Sequence, residues 1–291
     1  MTCRAILGGV SVGEGLPVAV MGVLNVSPES FYRGSVHADP DDVLGVAEHM
    51  VEAGAQILDV GALSTAPYLE TEISEQEEAD RLGRAVERLA GKLGVPVAAD
   101  THRATPVKTA LEAGASIIND VSGLTADPEV ARLVALAGAG LILMASPRGR
   151  RAVASEHSGS AADSPVSIVA GLLGESLELA RSAGMAEEKV VVDPGIGFFR
   201  ESGRPWFEWD CEVLARLGEL RDLGRPICVG VSRKSFIGAV LGQADPGERL
   251  VGSLAATAVA VVKGAHLIRT HDVAETIQAV RVAQAIGRFQ A

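Results

Sequence analysis

Eight short apolar runs rich in valine and isoleucine recur along this chain, each separated from the next by a longer amphipathic stretch. They read "VAVMGVLNV" (18–26), "AQILDVG" (55–61), "VPVAAD" (95–100), "SIINDV" (116–121), "GLILMA" (140–145), "VVVDPG" (190–195), "PICVGVS" (226–232) and "HLIRTH" (266–271). Runs that are apolar almost throughout, rather than at every second position, suit parallel strands covered on both faces. The stretches 41–53, 73–92, 104–114, 209–223, 248–264 and 273–288 carry the pattern of helices with one buried side. Three strands are entered through a glycine-containing helix stop, "EAGAQ" (52–56), "EAGAS" (112–116) and "VKGAH" (262–266). Repeated β–α units of this number in 291 residues predict one α/β domain over 1–291, a (β/α)8 TIM barrel. The segment before Val18 is expected to form a short N-terminal hairpin closing the barrel floor. A doubly wound open sheet competes, but it wants a glycine-rich phosphate loop after the first strand, and "LNVSPES" has no glycine.

Catalytic groups of such barrels stand at the C-terminal strand ends. Here those ends read Asn25, Asp59, Asp100, Asn119, Met144, Asp193, then Ser232 with Lys234, and Arg269 with His271. One polar residue after a strand is ordinarily a cap or turn former. Seven of eight strands ending this way ask for a site instead. Asp100, Asn119 and Asp193 offer carboxylates and an amide, which suit the edge of a heterocycle with adjacent N–H groups. Lys234, Arg269 and His271 are donors on strands seven and eight, whose loops are the favoured phosphate site of the fold. Asn25 faces them across the barrel and is placed to hold a hydrated Mg²⁺. Asp59 is expected to cap the turn after its strand rather than to touch a ligand.

Charge and cysteine content narrow the surroundings. A net charge of -11 and a pI near 5.1 argue against a general nucleic-acid or membrane-surface binder. Cys3, Cys211 and Cys228 are scattered and odd in number, matching neither a disulfide framework nor a zinc site, and a reducing cytoplasm is expected. The N-terminus lacks the apolar core of a signal peptide, and no apolar run reaches the roughly 18 residues of a membrane helix.

The motifs "MGVLNVSPESF", "ILDVGALST", "AADTHRA", "GASIINDVSG", "VVVDPGIGF", "VGVSRKSFIG" and "IRTHDV" follow in order over about residues 18–288. Together they resemble the dihydropteroate synthase family, which has the (β/α)8 fold. The resemblance implies condensation of 6-hydroxymethyl-7,8-dihydropterin diphosphate with p-aminobenzoate, releasing pyrophosphate, with Mg²⁺ assisting and a homodimer as the working unit. It implies that Asp100, Asn119, Asp193 and Lys234 hold the pterin, and that Met144, Phe198 and Gly230 line its faces. Asn25 would bind the Mg²⁺–diphosphate unit, with Arg269 and His271 on the phosphates. Thr65, Pro67, Phe31 and Ser232 would shape the p-aminobenzoate site.

The chain departs from that family in three loops. "STAPY" puts Ala66 where the family usually has a catalytic arginine, and "SFYRGS" puts Arg33 where it usually has an acid. The expectation is that Arg33 supplies the missing cation from the opposite loop. The stretch 145–165 has Ala145 in place of a usual histidine, with Arg148, Arg150 and Arg151 as a basic tract that is either a solvated loop or a contact for an anionic substrate tail. "GRPWFEWD" (203–210) holds Trp206 and Trp209, expected to pack as a satellite cluster in a loop. These departures leave two alternatives open: pterin transfer to a different arylamine, such as the phosphorylated ribosyl aminobenzene of methanopterin synthesis, and a pterin-binding paralogue without catalysis. Methyl transfer from methyl-folates to corrinoids fits less well, because "SRKSFIG" and "RTHD" keep the pyrophosphate side.

Overall fold

The computed structural model describes residues 3–26, 40–63, 73–147, 164–200 and 205–289, with backbone alone at 40–42. An antiparallel hairpin, β1 (Arg4–Leu7) and β2 (Val10–Gly13), comes first. Then strands and helices alternate: β3 (Ala19–Asn25), α1 (Pro40–Glu52), β4 (Ile57–Gly61), α2 (Glu75–Leu89), β5 (Val97–Asp100), α3 (Ala104–Glu112), β6 (Ile117–Asp120) and α4 (Glu129–Ala137). There follow β7 (Gly140–Met144), α5 (Pro165–Ser182), β8 (Val190–Asp193), α6 (Trp206–Ala215), β9 (Cys228–Gly230), α7 (Ser235–Leu241), α8 (Leu250–Val262), β10 (Leu267–Thr270) and α9 (Val273–Gly287).

The eight-stranded sheet runs β8-β7-β6-β5-β4-β3-β10-β9, all neighbours parallel. Its two ends meet through a parallel bridge between Val192 and Ile227, and Val192 N–H donates to Pro226 at 2.9 Å. That closure makes the sheet a barrel and removes the open-sheet alternative. The expected helix stops hold: Gly54, Gly114 and Gly264 take φ of 107°, 107° and 105°, which a side chain would resist. Helices α4, α5 and α7 fall in stretches whose helical pattern the sequence reading did not single out. The two tryptophans lie in helix α6 rather than in a loop, and they join the main core under the helices rather than a satellite cluster: Trp209 stacks on Phe199 at 5.0 Å, and Trp206 packs at the core's edge.

The pleat divides the apolar residues between two cores. Val20, Leu58, Val97, Ile118, Leu141, Val192 and Ile268 face outward and pack under the helices. Ala19, Met21, Ile57, Ala98, Ile117, Ile142, Val191, Cys228 and Leu267 face inward and fill the barrel. From below, the hairpin inserts Ala5, Leu7 and Val12 into that inner core, so it is the expected floor plug. Gly140, at the start of β7, allows this: a Cβ there would lie 2.7 Å from Leu7 Cδ2.

Candidate active site

The alternation that fills the barrel also builds the site. Two residues beyond each inner-core side chain, the chain again faces inward. Asp59 therefore stands over Ile57, Asp100 over Ala98, Asn119 over Ile117 and Met144 over Ile142. Asp193 stands over Val191, Gly230 over Cys228 and Arg269 over Leu267. A dry floor thus carries a polar layer of three carboxylates, an amide and a guanidinium.

Arg269 organises one side of that layer. Its Nε donates to Asp59 Oδ2 at 2.6 Å and its Nη2 to Asp100 Oδ2 at 2.6 Å. Asn119 Nδ2 donates to the same Asp59 oxygen at 3.1 Å, which fixes which way the amide points. Asp59 is completely buried, and among the described residues its partners are these two side chains, not the backbone of the following turn. The expected cap is therefore a brace that orients Arg269 and Asn119. Arg269 in turn leans toward the carboxylates rather than the expected phosphate side; its side chain is 22% exposed, which leaves an outer edge accessible. Burial alone would lower the guanidinium's pKa, but Asp59 and Asp100 outweigh it and hold the charge. Asp100 is pushed up to about 7 by burial, with Arg269 pulling it down and Asp59 pushing it up. One Asp100 oxygen, Oδ1, is buried with no hydrogen-bond partner among the described residues.

Lys234 anchors the opposite side. Its Nζ donates to the Ile196 carbonyl and sits 4.7 Å from the centre of the Phe198 ring. Burial lowers its pKa to about 8, against the pull of Asp193 and Asp210. Burial raises the Asp193 pKa, opposed by Lys234 and by the Gly195 N–H, which donates to Oδ1 at 2.7 Å. The expected pterin group of Asp100, Asn119, Asp193, Lys234, Met144, Phe198 and Gly230 thus converges on one inward-facing rim.

The third corner is built around His271. Ser232 Oγ lies 3.0 Å from its Nδ1, and Asn25 Nδ2 lies 3.5 Å from its Nε2. Burial, reinforced by Arg269, Arg233 and Lys234, drives the imidazole down to about 3, so at neutral pH it is uncharged and offers a hydrogen bond rather than a cation. Ser232 faces His271 and Asp272, which makes it a support for the imidazole more than the expected wall of the amine pocket. Arg233, at a positive φ of 55°, forks onto Asp272 at 2.9 and 2.7 Å and ties the "SRKS" turn to the last β–α unit. Phe31, Arg33, Thr65, Ala66, Pro67 and the basic tract at 148–151 lie outside the described residues.

Sequence reasoning missed three supporting carboxylates. Glu78, buried on α2, accepts from Thr101 Oγ1 at 2.6 Å and Arg103 Nη1 at 3.1 Å, holding the turn just after Asp100. Asp120 faces away from the barrel and accepts the Ser122 and Leu124 N–H groups at 2.7 and 2.8 Å, shaping "NDVSG". Asp210, on α6, accepts the Gly197 N–H at 2.8 Å. A buried carboxylate inside an amphipathic helix was the available signal for Glu78 and Asp210; each interrupts a face that is otherwise apolar.

Fold and rim together define a (β/α)8-barrel enzyme that grips a polar heterocycle at the carboxyl ends of its strands. The model of the pterin binding enzyme family matches residues 21–271, and the chain belongs to that family. It is 37% identical over 276 residues to the dihydropteroate synthase of Synechocystis, covering 92% of this chain and 90% of that one. It is 38% identical over 267 residues to that of Escherichia coli K12, covering 91% and 90%. Among solved structures, the Coxiella burnetii dihydropteroate synthase in complex with pteroic acid superposes with a TM-score of 0.83 at 32% identity, covering 98% of this chain and 99% of that one. The Xanthomonas albilineans enzyme with 4-aminobenzoic acid gives a TM-score of 0.83 at 33% identity, covering 98% of each.

Proposed function

We propose that this chain is a dihydropteroate synthase, a transferase that joins p-aminobenzoate to 6-hydroxymethyl-7,8-dihydropterin diphosphate in folate biosynthesis. The observation that carries this reading is the Asp100 carboxylate: one oxygen pinned by Arg269, the other buried without a described donor. A buried acceptor left unpaired is costly, and a pterin N–H would satisfy it. Asn119, Asp193 and Lys234 complete the heterocycle's polar edge, while Met144 and Phe198 cover its faces.

In the reaction the CH₂–O bond of the pterin breaks, its electron pair leaving with pyrophosphate. The arylamine nitrogen forms the new C–N bond and sheds a proton. The pterin ring delocalises the positive charge that grows on the methylene carbon. Asp100 and Asp193 stabilise that charge from below in a water-poor site. The outer edge of Arg269 reaches the departing oxygens, and the neutral His271, held between Ser232 and the Asn25 amide nitrogen, turns the Asn25 amide oxygen toward the same end. A weak nucleophile such as an arylamine gains most from an electrophile already held in place.

Asn25 suits Mg²⁺. A single neutral amide oxygen matches a hard ion that keeps its waters and takes its remaining ligands from a diphosphate. The described residues contain no group of three His, Cys, Asp or Glu side chains that would form an all-protein metal cage. Bound there, Mg²⁺ would neutralise the diphosphate oxygens. We also place the enzyme in the cytoplasm as a homodimer. The free thiols Cys3, Cys211 and Cys228 support a reducing compartment. No described helix is long and apolar enough to cross a membrane. Helix α8 is apolar nearly all round and leaves Val251 and Val259 exposed, and the α9 helix packed against it exposes Val282 and Ile286, apolar surface that a second copy would cover.

The test is pyrophosphate release from the pterin diphosphate with and without p-aminobenzoate. Release that requires p-aminobenzoate supports the reading. A marked preference for a phosphorylated ribosyl aminobenzene, or binding without any release, would overturn it in favour of the other amine or of a non-catalytic paralogue.

A further inference from the structure

The mechanism above leaves one buried carboxylate behind Lys234 without a role. Asp210 lies on the inner face of α6 among buried Trp209, Val213 and Leu214. Its Oδ1 accepts the Gly197 N–H at 2.8 Å, and its Oδ2 is buried with no hydrogen-bond partner among the described residues. An apolar side chain would sit there at lower cost, so the charge calls for a function. Gly197 belongs to the turn Gly195–Phe198, and that turn is the seat of Lys234. The Ile196 carbonyl accepts from Nζ, the Phe198 ring lies beside it, and a Cβ on Gly197 would come within 3.0 Å of Lys234 Cδ.

We propose that Asp210 is a positioning residue for Lys234: it clamps the Gly195–Phe198 turn on which the ammonium rests, and it supplies a second carboxylate, beyond Asp193, that keeps the ammonium charged. The inference rests on the reading of Lys234 as a pterin-holding group. The surroundings agree with it. Lys234 is faced by Asp193 from β8, Asp210 from α6, Arg269 from β10 and Arg200 from the segment after β8. Asp210 is faced by Lys234 and Arg200, and Cys211 and His271 lie within reach of this charge cluster. Burial raises Asp210 to about 6, so it is ionised where Lys234, at about 8, loses its proton.

Two variants of the full chain separate clamp from charge. Asp210→Asn keeps an oxygen for the Gly197 N–H but removes the negative charge. Its thermal midpoint and its KM for the pterin diphosphate at pH 6, where Lys234 stays charged in both proteins, should stay close to wild type. The basic limb of its kcat/KM profile should move about one unit to lower pH, because an opposite charge has been taken from Lys234. Asp210→Ala loses both functions and should raise that KM about tenfold with a smaller change in kcat. A basic limb in Asp210→Asn that coincides with wild type overturns the proposal, and that result decides the matter even if Asp210→Ala does not fold. Titration with 6-hydroxymethylpterin by calorimetry gives an independent reading: weaker binding at pH 8 in Asp210→Asn is expected, and unchanged binding counts against it. A wild-type chain that neither binds this pterin nor releases pyrophosphate sinks the functional reading itself; an active wild type with an unshifted variant sinks this inference alone.

Discussion

Replacing Asp59 by asparagine tests whether the site is built around Arg269 as described. The carboxylate is completely buried, and its Oδ2 takes hydrogen bonds from Arg269 Nε at 2.6 Å and Asn119 Nδ2 at 3.1 Å. Asparagine keeps the shape and one acceptor but no charge. Hydrogen bonds to charged groups contribute about 1.5–3 kcal/mol against about 0.5–1.5 for neutral ones. Stripping one partner from a buried ion pair costs about 3–5 kcal/mol. Asp100 still holds Arg269, so Asp59→Asn should cost about 2 kcal/mol, seen in thermal unfolding as a midpoint about 3–6 °C lower for a domain of this size. If Asp59 merely capped a turn, asparagine would serve equally well and the midpoint would hardly move. Catalysis supplies a second, opposite signal. Asp59 pushes the Asp100 carboxyl up, so removing its charge lets Arg269 pull Asp100 below about 7. The acidic limb of the pH–rate profile for pyrophosphate release should shift to lower pH. An unchanged midpoint together with an unmoved acidic limb would refute the brace.

Three further outcomes follow from the same geometry, and a fourth tests the expectation for Arg33. Asp100 has a folded value of about 7 against an ordinary 3.8, so between those values the folded chain holds a proton that the unfolded chain has lost. Its contribution therefore makes stability fall as pH rises from about 4 to 7, and Asp100→Asn should flatten that part of a midpoint-against-pH curve. Asn25→Ala should weaken calorimetric binding of the pterin diphosphate in Mg²⁺ while leaving 6-hydroxymethylpterin binding unchanged; equal loss for both ligands would remove Asn25 from the diphosphate end. Leu7→Ala empties part of the floor plug and should cost about 2–5 kcal/mol in denaturant unfolding, with little effect on KM. Arg33→Ala should lower kcat at least tenfold if Arg33 supplies the cation absent at Ala66, and unaltered turnover would discard that compensation.

The barrel was legible because its signals are local and repeated. A buried parallel strand gives an apolar run, a glycine can mark the helix stop before it, and three of the units show both. The rim was legible for a related reason: polar residues that end apolar strands have few other places to point. What stayed hidden was pairing. Nothing near Asp59 in the chain says that its partners are Arg269 and Asn119, which lie on β10 and β6, because the barrel's closure alone brings those strands to one layer. The same holds for Glu78, whose contact with Thr101 and Arg103 depends on how α2 packs beside β5. The stretch 203–210 is expected as a loop, yet Pro205 serves as a helix's N-terminal flank and the helix begins at Trp206.

The charge balance of the rim explains how one site can serve both ends of the substrate. Asp59, Asp100 and Asp193 share the barrel mouth with Arg269 and Lys234, while His271 is neutral. Carboxylates therefore outnumber cations on the pterin side, and burial holds both Asp100 and Asp193 above their ordinary values. Negative charge that is undercompensated in the resting site is stabilised when a positive charge develops beside it. In the proposed reaction the pterin methylene acquires such a charge as its C–O bond lengthens, so the carboxylates would bind the transition state more tightly than the substrate. The same excess would repel a diphosphate, which favours the far corner proposed for it, where Asn25 and His271 stand 3.5 Å apart and Ser232, Arg233 and Asp272 lie behind the imidazole. The proposed mechanism depends on keeping these two fields apart. A carboxylate introduced at Ser232 should therefore damage diphosphate binding far more than pterin binding.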